Sequence, residues 1–377
     1  MGVAAAVVVG AVAGVAITSA LGPDPTTPEL AVVRPAAVRT VPVPQGGLLL
    51  AWVPGGLPAG FAGRLAASGL TSVSTVLGDT LQLAGSADEA GRVVDHPRPG
   101  FTIPFEAIAV DCSTWAPLVP VAEAEAVCRL EPDEVLLGTT SARLRHLGAG
   151  ATLTLADGRG LRVAGVIADE AIGAAEVAVP MASAAAAGVH TPRYVLAAYE
   201  GDGSDAEARI RAAAPGVDMR VRGPGQTPWL RHGDAVLPQS ILKEQLGEFS
   251  ATAGRGGMLT LDPAWTAAHL VTVDLPVLGR VTCNRVIVAA LRGALEEIGA
   301  RHLLGPVDRR AAGCWNPRTI AGTVEPSRHA WGGAVDIVPF DDDPEVIDVF
   351  ERWGFTWGGR WVSPDPVHFE YVRPPKV

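Results

Sequence analysis

The strongest constraint on what this 377-residue chain can fold into lies near its C-terminus, in two short segments rich in histidine and carboxylate side chains. They are residues 327–336 (SRHAWGGAVD) and residues 365–370 (DPVHFE). Zinc binds imidazole nitrogen and carboxylate oxygen tetrahedrally, and a catalytic site keeps three protein ligands and one open position. His329, Asp336 and His368 provide such a set. The two segments therefore predict a zinc site.

Both segments also have patterns that place these ligands on strands. Ala334 to Val338 is a short apolar run that predicts a buried strand carrying Asp336. Val367 to Val372 alternates with a period of two, so His368 and Glu370 are predicted to share one face of a second strand. The ligands are thus expected on the regular elements of an α+β domain.

Three further side chains have predicted roles in hydrolysis. A zinc site activates water for attack on a carbonyl group, and a nearby carboxylate takes up the proton and passes it to the leaving amine. We expect Asp365 to be this base, because it lies in a proline-rich turn just before the second histidine. Glu370 is expected to support a ligand histidine. Arg318 is the predicted cation for the negative charge on the carbonyl oxygen.

The same segments carry a resemblance to a known family. Together they resemble the zinc D-alanyl-D-alanine carboxypeptidases, which include VanX- and VanY-type peptidases and L-alanyl-D-glutamate endopeptidases. The resemblance extends over roughly residues 241–377 and includes residues 313–318 (GCWNPR) and 354–359 (GFTWGG). It implies a hedgehog-type domain with an antiparallel sheet.

For the site, the resemblance implies one zinc ion on His329, Asp336 and His368, with Asp365 as the catalytic base. The implied substrates are peptidoglycan peptides that contain D-amino acids, and both carboxypeptidase and endopeptidase cleavage remain open. Two imidazoles and a carboxylate also accept other divalent ions. The main alternative is a zinc-containing cell-wall binding or scaffold protein that does not cleave its ligand.

Several residues near the ligands have two interpretations. Ser327, Trp331 and Trp357 are predicted to support the ligands or to line a substrate pocket, together with Trp361. The alternative for the tryptophans is packing in the core. The aspartates of residues 341–343 are predicted to begin a helix over Pro344 to Trp353 rather than to bind calcium.

The N-terminus predicts attachment to a membrane or export across it. Val3 to Leu21 is an apolar run of about nineteen residues, nearly long enough to cross the ~30 Å hydrocarbon layer. Small residues near its end also suit a cleaved signal, although no Lys or Arg precedes the run. We therefore expect an extracytoplasmic protein that is anchored, or secreted if the segment is removed.

Charge and composition indicate the type of partner and the domain organisation of the rest of the chain. The net charge of −10 and pI near 5.3 argue against nucleic acid as a partner. Residues 22–47 are rich in proline and predict an extended linker. We expect an N-terminal mixed α/β domain over residues 48–225, a linker over residues 226–240, and the zinc peptidase domain over residues 241–377.

The N-terminal domain has a resemblance of its own. Residues 151–155 and 161–167 flank the turn ADGRG and predict a β-hairpin. Residues 133–180 resemble the small β-barrel in extracytoplasmic domains of MacB-like and FtsX-like permeases. This domain has no catalytic motif, so we expect it to position the enzyme or to bind an envelope protein.

Four cysteines fall two to a domain. Cys112 and Cys128 lie in the predicted N-terminal domain, and Cys283 and Cys314 lie in the predicted C-terminal domain. They form no Cys-x-x-Cys motif, which argues against a structural zinc site. Outside the cytoplasm we expect one disulfide within each domain. The sequence alone does not fix this pairing, and free buried thiols are the alternative.

Overall fold

The computed structural model of the chain describes residues 47–223, 233–309 and 312–373. The predicted apolar segment and nearly all of the proline-rich linker lie outside the described residues. Within them, no helix is both long and apolar enough to cross a membrane. We call residues 47–223 the N-terminal region and the described residues from 233 onward the C-terminal region.

The strands of the N-terminal region are hydrogen-bonded into one sheet. Most are rich in valine, leucine and alanine and are buried on at least one face, as strands in a core require. In chain order they are β1 (Gly47–Trp52), β2 (Ser72–Ala87), β3 (Ile103–Val110), β4 (Glu134–Gly138), β5 (Thr152–Leu155), β6 (Gly160–Ile167), β7 (Val177–Pro180), β8 (Pro192–Tyr199) and β9 (Arg220–Arg222).

Six of these strands close into a small barrel. They are neighbours in the order β3, β7, β4, β6, β5 and β2, and β2 pairs again with β3. The β3–β7 and β4–β6 pairs are parallel, and the other pairs are antiparallel. β2 has 16 residues and shifts register between Leu83 and Gly85, which lets it bend from the open part of the sheet into the barrel. The predicted barrel and its β5–β6 hairpin are confirmed.

Side chains from alternate strand positions fill the barrel. Phe105, Leu137 and Val163 are fully buried there, and each side chain of this kind contributes about 1.5–3 kcal/mol by leaving water. Short helices cover the outer faces of the sheet. They are α1 (Phe61–Ala66), α2 (Cys112–Trp115), α3 (Val121–Cys128), α4 (Thr139–Arg145), α5 (Asp169–Ile172), α6 (Met181–Ala187) and α7 (Gly203–Ala212).

The C-terminal region combines a three-stranded antiparallel sheet, two hairpins and four α-helices within the described residues. Its helices are α8 (Gln239–Leu246), α9 (Pro263–His269), α10 (Val288–Ala300) and α11 (Pro344–Arg352). Its strands are β10 (Ala251–Ala253), β11 (Leu259–Leu261), β12 (Leu270–Leu275), β13 (Gly279–Asn284), β14 (Ala334–Asp336), β15 (Phe355–Trp357) and β16 (His368–Tyr371).

The three-stranded sheet, in the order β14, β16, β15, packs against α10 and α11. Phe350 of α11 stacks on Phe369 of β16, with ring centroids 4.2 Å apart. Asp343 caps α11 by accepting a hydrogen bond from the Glu345 amide, as the sequence predicts for this helix start. α10 begins only at Val288, because the residues before it form β13, which pairs with β12.

The two regions meet around a cluster of buried charges. Lys243 of α8 donates to both carboxylate oxygens of Glu176, at 2.8 and 2.9 Å, and both side chains are fully buried. Arg145 of α4 also pairs with Glu176, at 3.1 Å, and Glu248 contacts both cations. Burial alone would raise the pKa of Glu176, but Lys243 and Arg145 outweigh burial and hold this pKa below its usual range.

Helix α8 therefore belongs to the packed structure. The sequence predicts a linker up to residue 240, yet Gln239 and Ser240 are buried. The Gln239 side-chain amide donates to Pro104 O and Glu176, and the Ser240 hydroxyl donates to Ala174 O. Residues 226–232 of the predicted linker lie outside the described part of the chain.

Candidate metal centre

A tight turn places His329. Ser327 caps a short 3-10 helix over Arg328–Trp331 by accepting from the His329 amide. Gly332 ends this helix with φ of 66°, where a Cβ atom would approach the Asn284 amide nitrogen to 2.8 Å. Only glycine combines this conformation with this close approach. The chain consequently reverses within one residue and leads into β14.

Asp336 and His368 meet because their strands pair in register. Asp336 of β14 is the direct antiparallel partner of His368 in β16. Directly opposed residues point to the same face of a sheet, so the two side chains lie together. The predicted strand positions of these residues and of Glu370, which pairs with Ala334, are confirmed.

Three possible ligand atoms converge at this point. His329 Nε2 lies 3.1 Å from Asp336 Oδ1, His368 Nδ1 lies 3.0 Å from the same oxygen, and the two imidazole nitrogens are 3.0 Å apart. Ligands at about 2.0–2.1 Å from a tetrahedral zinc ion are separated by about 3.3 Å. The observed separations are close to this value. Both histidines are buried, and Asp336 is partly exposed.

The outer nitrogens of the imidazoles fix which atoms face the centre. His329 Nδ1 lies 2.8 Å from Cys314 O, and a carbonyl oxygen only accepts, so this nitrogen carries the hydrogen. His368 Nε2 lies 3.4 Å from a Glu370 carboxylate oxygen, as expected from the sequence for a supporting carboxylate. The inner nitrogens of the neutral imidazoles therefore present lone pairs to each other and to Asp336. Such a set fits a divalent cation.

The carboxylates of Asp336 and Glu370 give the centre an excess of negative charge when both imidazoles are neutral, which favours a cation. Burial would raise the pKa of Asp336, but the adjacent imidazoles of His329 and His368 outweigh burial and hold this pKa well below its usual range. Burial would lower the pKa of His368, but Asp336 and Glu370 raise it to about 9. A proton and a metal ion would therefore compete for the same place.

The two residues predicted to act in catalysis lie on loops whose backbones are hydrogen-bonded to the segments that carry His329 and His368. Asp365 is half-buried, and its carbonyl oxygen accepts from the His368 amide at 3.2 Å, one turn before the ligand. Arg318 accepts through its carbonyl oxygen from the Ser327 amide at 2.9 Å, just before His329. In the described part of the chain, neither the Asp365 carboxylate nor the Arg318 guanidinium has an ion-pair partner within 4.0 Å.

The tryptophans divide between core and site. Trp331 is fully buried and donates to Gly247 O, which agrees with the alternative of packing in the core. Its large apolar ring packs on Phe249. Trp357 donates to Pro366 O, next to Asp365. Trp361 has its ring centroid 5.1 Å from that of His368, which makes it the tryptophan beside the metal centre.

Backbone atoms of residues 313–316 make a further contribution that the sequence does not reveal. The Gly313 carbonyl accepts from the Asp336 amide, and the Asn316 amide donates to the His329 carbonyl. Cys314 accepts from His329 Nδ1 and is joined to Cys283 of β13 by a disulfide. The second disulfide joins Cys112 and Cys128, so one predicted disulfide is present in each region. The disulfide thus ties the carbonyl that orients a ligand histidine to a strand of the core.

Comparison with known proteins points to the same residues. The sequence model of a family described as D-alanyl-D-alanine carboxypeptidase matches residues 321–371, which include the three possible ligands and Asp365. This match confirms the resemblance within the C-terminal region. No curated protein matches the chain.

Among solved structures, nine chains match. One is the extracellular domain of the noncanonic ABC-type transporter YknZ from Gram-positive bacteria. It is 11% identical, the match covers 44% of this chain and 90% of that chain, and the TM-score is 0.30.

Proposed function

We propose that this protein is an extracytoplasmic zinc metallopeptidase that hydrolyses peptidoglycan stem peptides containing D-amino acids. The proposed cleavage is that of a D-Ala-D-Ala carboxypeptidase or of an L-Ala-D-Glu endopeptidase. One observation carries the proposal: the imidazole lone pairs of His329 and His368 converge with the Asp336 carboxylate inside the segment that matches the carboxypeptidase family.

The chain's own residues would divide the work as follows. His329, Asp336 and His368 would hold one zinc ion, and Cys314 O and Glu370 would keep the two imidazoles oriented. When bound, zinc would supply Lewis acidity, which polarises a peptide carbonyl and makes water a better nucleophile at neutral pH.

Two polar side chains beside the centre would manage protons and charge. Asp365 would accept the proton of the attacking water and deliver it to the leaving amine. Arg318 would bind a substrate carboxylate or the negative charge that develops on the carbonyl oxygen. The absence of an intramolecular ion pair for either side chain, among the described residues, suits both roles because neither must first break one.

The location and partners in this proposal follow from other parts of the chain. Disulfides persist in oxidising compartments, so Cys112–Cys128 and Cys283–Cys314 support a place outside the cytoplasm. Residues 1–21 would anchor the protein in the membrane or direct its secretion. The N-terminal region would position the enzyme and would be the site for an envelope protein partner.

The test uses the purified full chain loaded with zinc. It is incubated with synthetic peptides ending in D-Ala-D-Ala and, separately, with isolated peptidoglycan, and the products are identified by mass spectrometry. Asp365→Asn is expected to lower the rate at least about a hundred-fold while zinc stays bound. Asp341→Asn, an exposed carboxylate in the same region, is the matched control and is expected to cleave normally.

The products separate the two cleavage types. Release of free D-Ala indicates a carboxypeptidase, and release of a stem fragment from peptidoglycan indicates an endopeptidase. A chain that binds zinc in a one-to-one ratio but cuts neither substrate from about pH 5 to 9 would refute the peptidase. The zinc-containing binding or scaffold protein would then be the better description.

A further inference from the structure

Two loops of the C-terminal region carry the side chains assigned to catalysis. Residues 318–327, the arginine loop, run from Arg318 to the turn before His329. Their ends are joined by the Ser327 amide and the Arg318 carbonyl, and by a bridge between Thr319 and Pro326. Residues 358–367, the acid loop, contain Asp365, whose amide donates to Gly358 O at 3.1 Å. A Cβ atom on Gly358 would lie 2.7 Å from Asp365 O.

The arginine loop is held by a side chain of the N-terminal region. Arg193 of β8 pairs with Glu325 at 2.8 Å, and the two side chains are only 12% and 28% exposed. The Arg193 guanidinium is itself fixed, because its Nε donates to Gly78 O at 2.6 Å and it lies 3.7 Å from Asp79. A guanidinium held on several sides is a rigid support for the single carboxylate that the loop presents.

The acid loop is held in a similar way at a different place. Arg220 of β9 donates to Arg360 O at 2.9 Å and pairs with Asp234 at 2.8 Å. The other carboxylate oxygen of Asp234 accepts from the Val362 amide at 3.0 Å. The Val362 side chain packs against a core cluster of the N-terminal region that includes Leu48.

The two regions also contact each other at places outside these two loops, so the residues that hold the loops are themselves fixed. Thr102, beside the barrel, pairs with Ala251 of β10 through two backbone hydrogen bonds. The buried Lys243–Glu176 ion pair lies at the same junction. An element fixed at a separate place can hold a loop at a set distance from the metal centre, as catalysis requires of its positioned groups.

We propose that Arg193 and Arg220 are positioning residues of the metal centre, through which the N-terminal region sets the places of Arg318 and Asp365. The effect of Arg193 and Arg220 on catalysis rests on the proposed function, whereas their positioning of the two loops does not. The N-terminal region is then part of the machinery of the site. It is more than a spacer between this site and the membrane.

The test alters the acidic partner of each arginine in the zinc-loaded full chain. Glu325→Gln weakens the contact with Arg193, and Asp234→Asn weakens the contact with Arg220 and Val362. Glu207→Gln is the matched control, because Glu207 also pairs with an arginine, Arg211, but on the exposed face of α7. Amide hydrogen exchange is followed by mass spectrometry in the arginine loop and in the acid loop.

Each change is expected to act on one loop. Glu325→Gln should speed exchange in residues 318–327 about three- to tenfold and leave residues 358–367 unchanged, and Asp234→Asn should do the reverse. Glu207→Gln should change neither loop. Where the parent protein cleaves peptide, both loop variants should lower kcat about tenfold with bound zinc and melting temperature unchanged.

The outcomes separate this inference from the proposed function. If exchange changes loop by loop but the parent protein cuts no peptide, the positioning stands and the peptidase is refuted. If exchange in both loops is the same in parent and variants, the inference is overturned whether or not the protein is a peptidase. Equal changes in both loops after either substitution would also overturn it, because they would indicate general loosening.

Discussion

Two clusters of buried ionisable side chains differ in how their charges are balanced. At the junction of the two regions, the Lys243 ammonium and the Arg145 guanidinium face the carboxylates of Glu176 and Glu248. Each charged side chain of that group has a partner of opposite charge. In the metal centre, two imidazole lone pairs and a carboxylate face one another, and no donor lies between them unless a proton is added.

The difference shows how a structural cluster can be distinguished from a candidate functional one. A buried ion pair is complete when each charge has a partner, and its role is to join the elements that carry it. A buried group of acceptors is satisfied only when a cation or a proton lies between them. Both clusters have perturbed pKa values, so the perturbation alone does not separate them.

The largest effect is expected where a complete cluster is broken. Lys243→Met leaves the carboxylate of Glu176 with too little positive charge in a dry site. It should lower the free energy of unfolding of the full chain by about 3–5 kcal/mol, measured by urea denaturation. Arg211→Met, which removes an exposed ion pair, should cost no more than about 1 kcal/mol. Equal losses in the two variants would contradict the structural role of the junction cluster.

The next effect tests the incomplete cluster. Asp336→Ala removes one of three converging ligand atoms, so zinc affinity should fall more than about a hundred-fold, since even the outer partners of ligands are worth about 10- to 100-fold. The measurement is competition with a chromophoric chelator. Asp341→Ala, at an exposed carboxylate, should bind zinc like the parent. Parent-like zinc affinity in Asp336→Ala would show that the ion binds elsewhere.

A smaller effect is expected from the support of a ligand. Glu370→Gln keeps the shape of the side chain but weakens the acceptor for His368 Nε2. Zinc affinity should fall about 10- to 100-fold while zinc still binds in a one-to-one ratio. The same competition assay measures it. A loss as large as that of Asp336→Ala would place Glu370 among the ligands themselves.

The smallest effect is expected on the free energy of unfolding at acidic pH. The pKa of Glu176 is below its ordinary value of 4.5, so its charge stabilises the fold above about pH 4.5, and this contribution is lost as the pH falls toward the lower, folded-state pKa. Between about pH 5 and 3, the unfolding free energy of the parent should fall more than that of Glu176→Gln. Urea titrations at several pH values test this. Parallel pH profiles would exclude a charged Glu176.

The metal centre could be predicted from the sequence because its chemistry is local. His329 and Asp336 lie within one turn and one short strand, and Asp365 and His368 lie within another. Alternation in β16 also indicates that His368 and Glu370 share a face. The sequence does not reveal the backbone contribution of Cys314, because the carbonyl oxygen of any residue type could accept this hydrogen bond from His329.

The rest of the fold depends on contacts between distant residues. β2 pairs with three other strands, and its long polar and apolar alternation does not indicate which residues face β3, β5 or β8. Lys243 resembles a solvated helix residue until Glu176, distant in sequence, is placed beside it. Trp331 lies next to a ligand in the chain, but its ring turns into the core. Proximity in the sequence therefore identifies the possible ligands, but it does not identify the residues that contact β2, Lys243 and Trp331.

The direct pairing of Asp336 with His368 makes the convergence of the three possible ligands depend on strand register. Because side chains alternate between the faces of a strand, a slip of one residue would bring Val367 or Phe369 opposite Asp336 and turn the imidazole away. The chain could still form a three-stranded sheet with such an error, but it could not gather the ligands. Metal uptake would therefore discriminate correctly folded copies of the chain from mispaired ones before any substrate arrives.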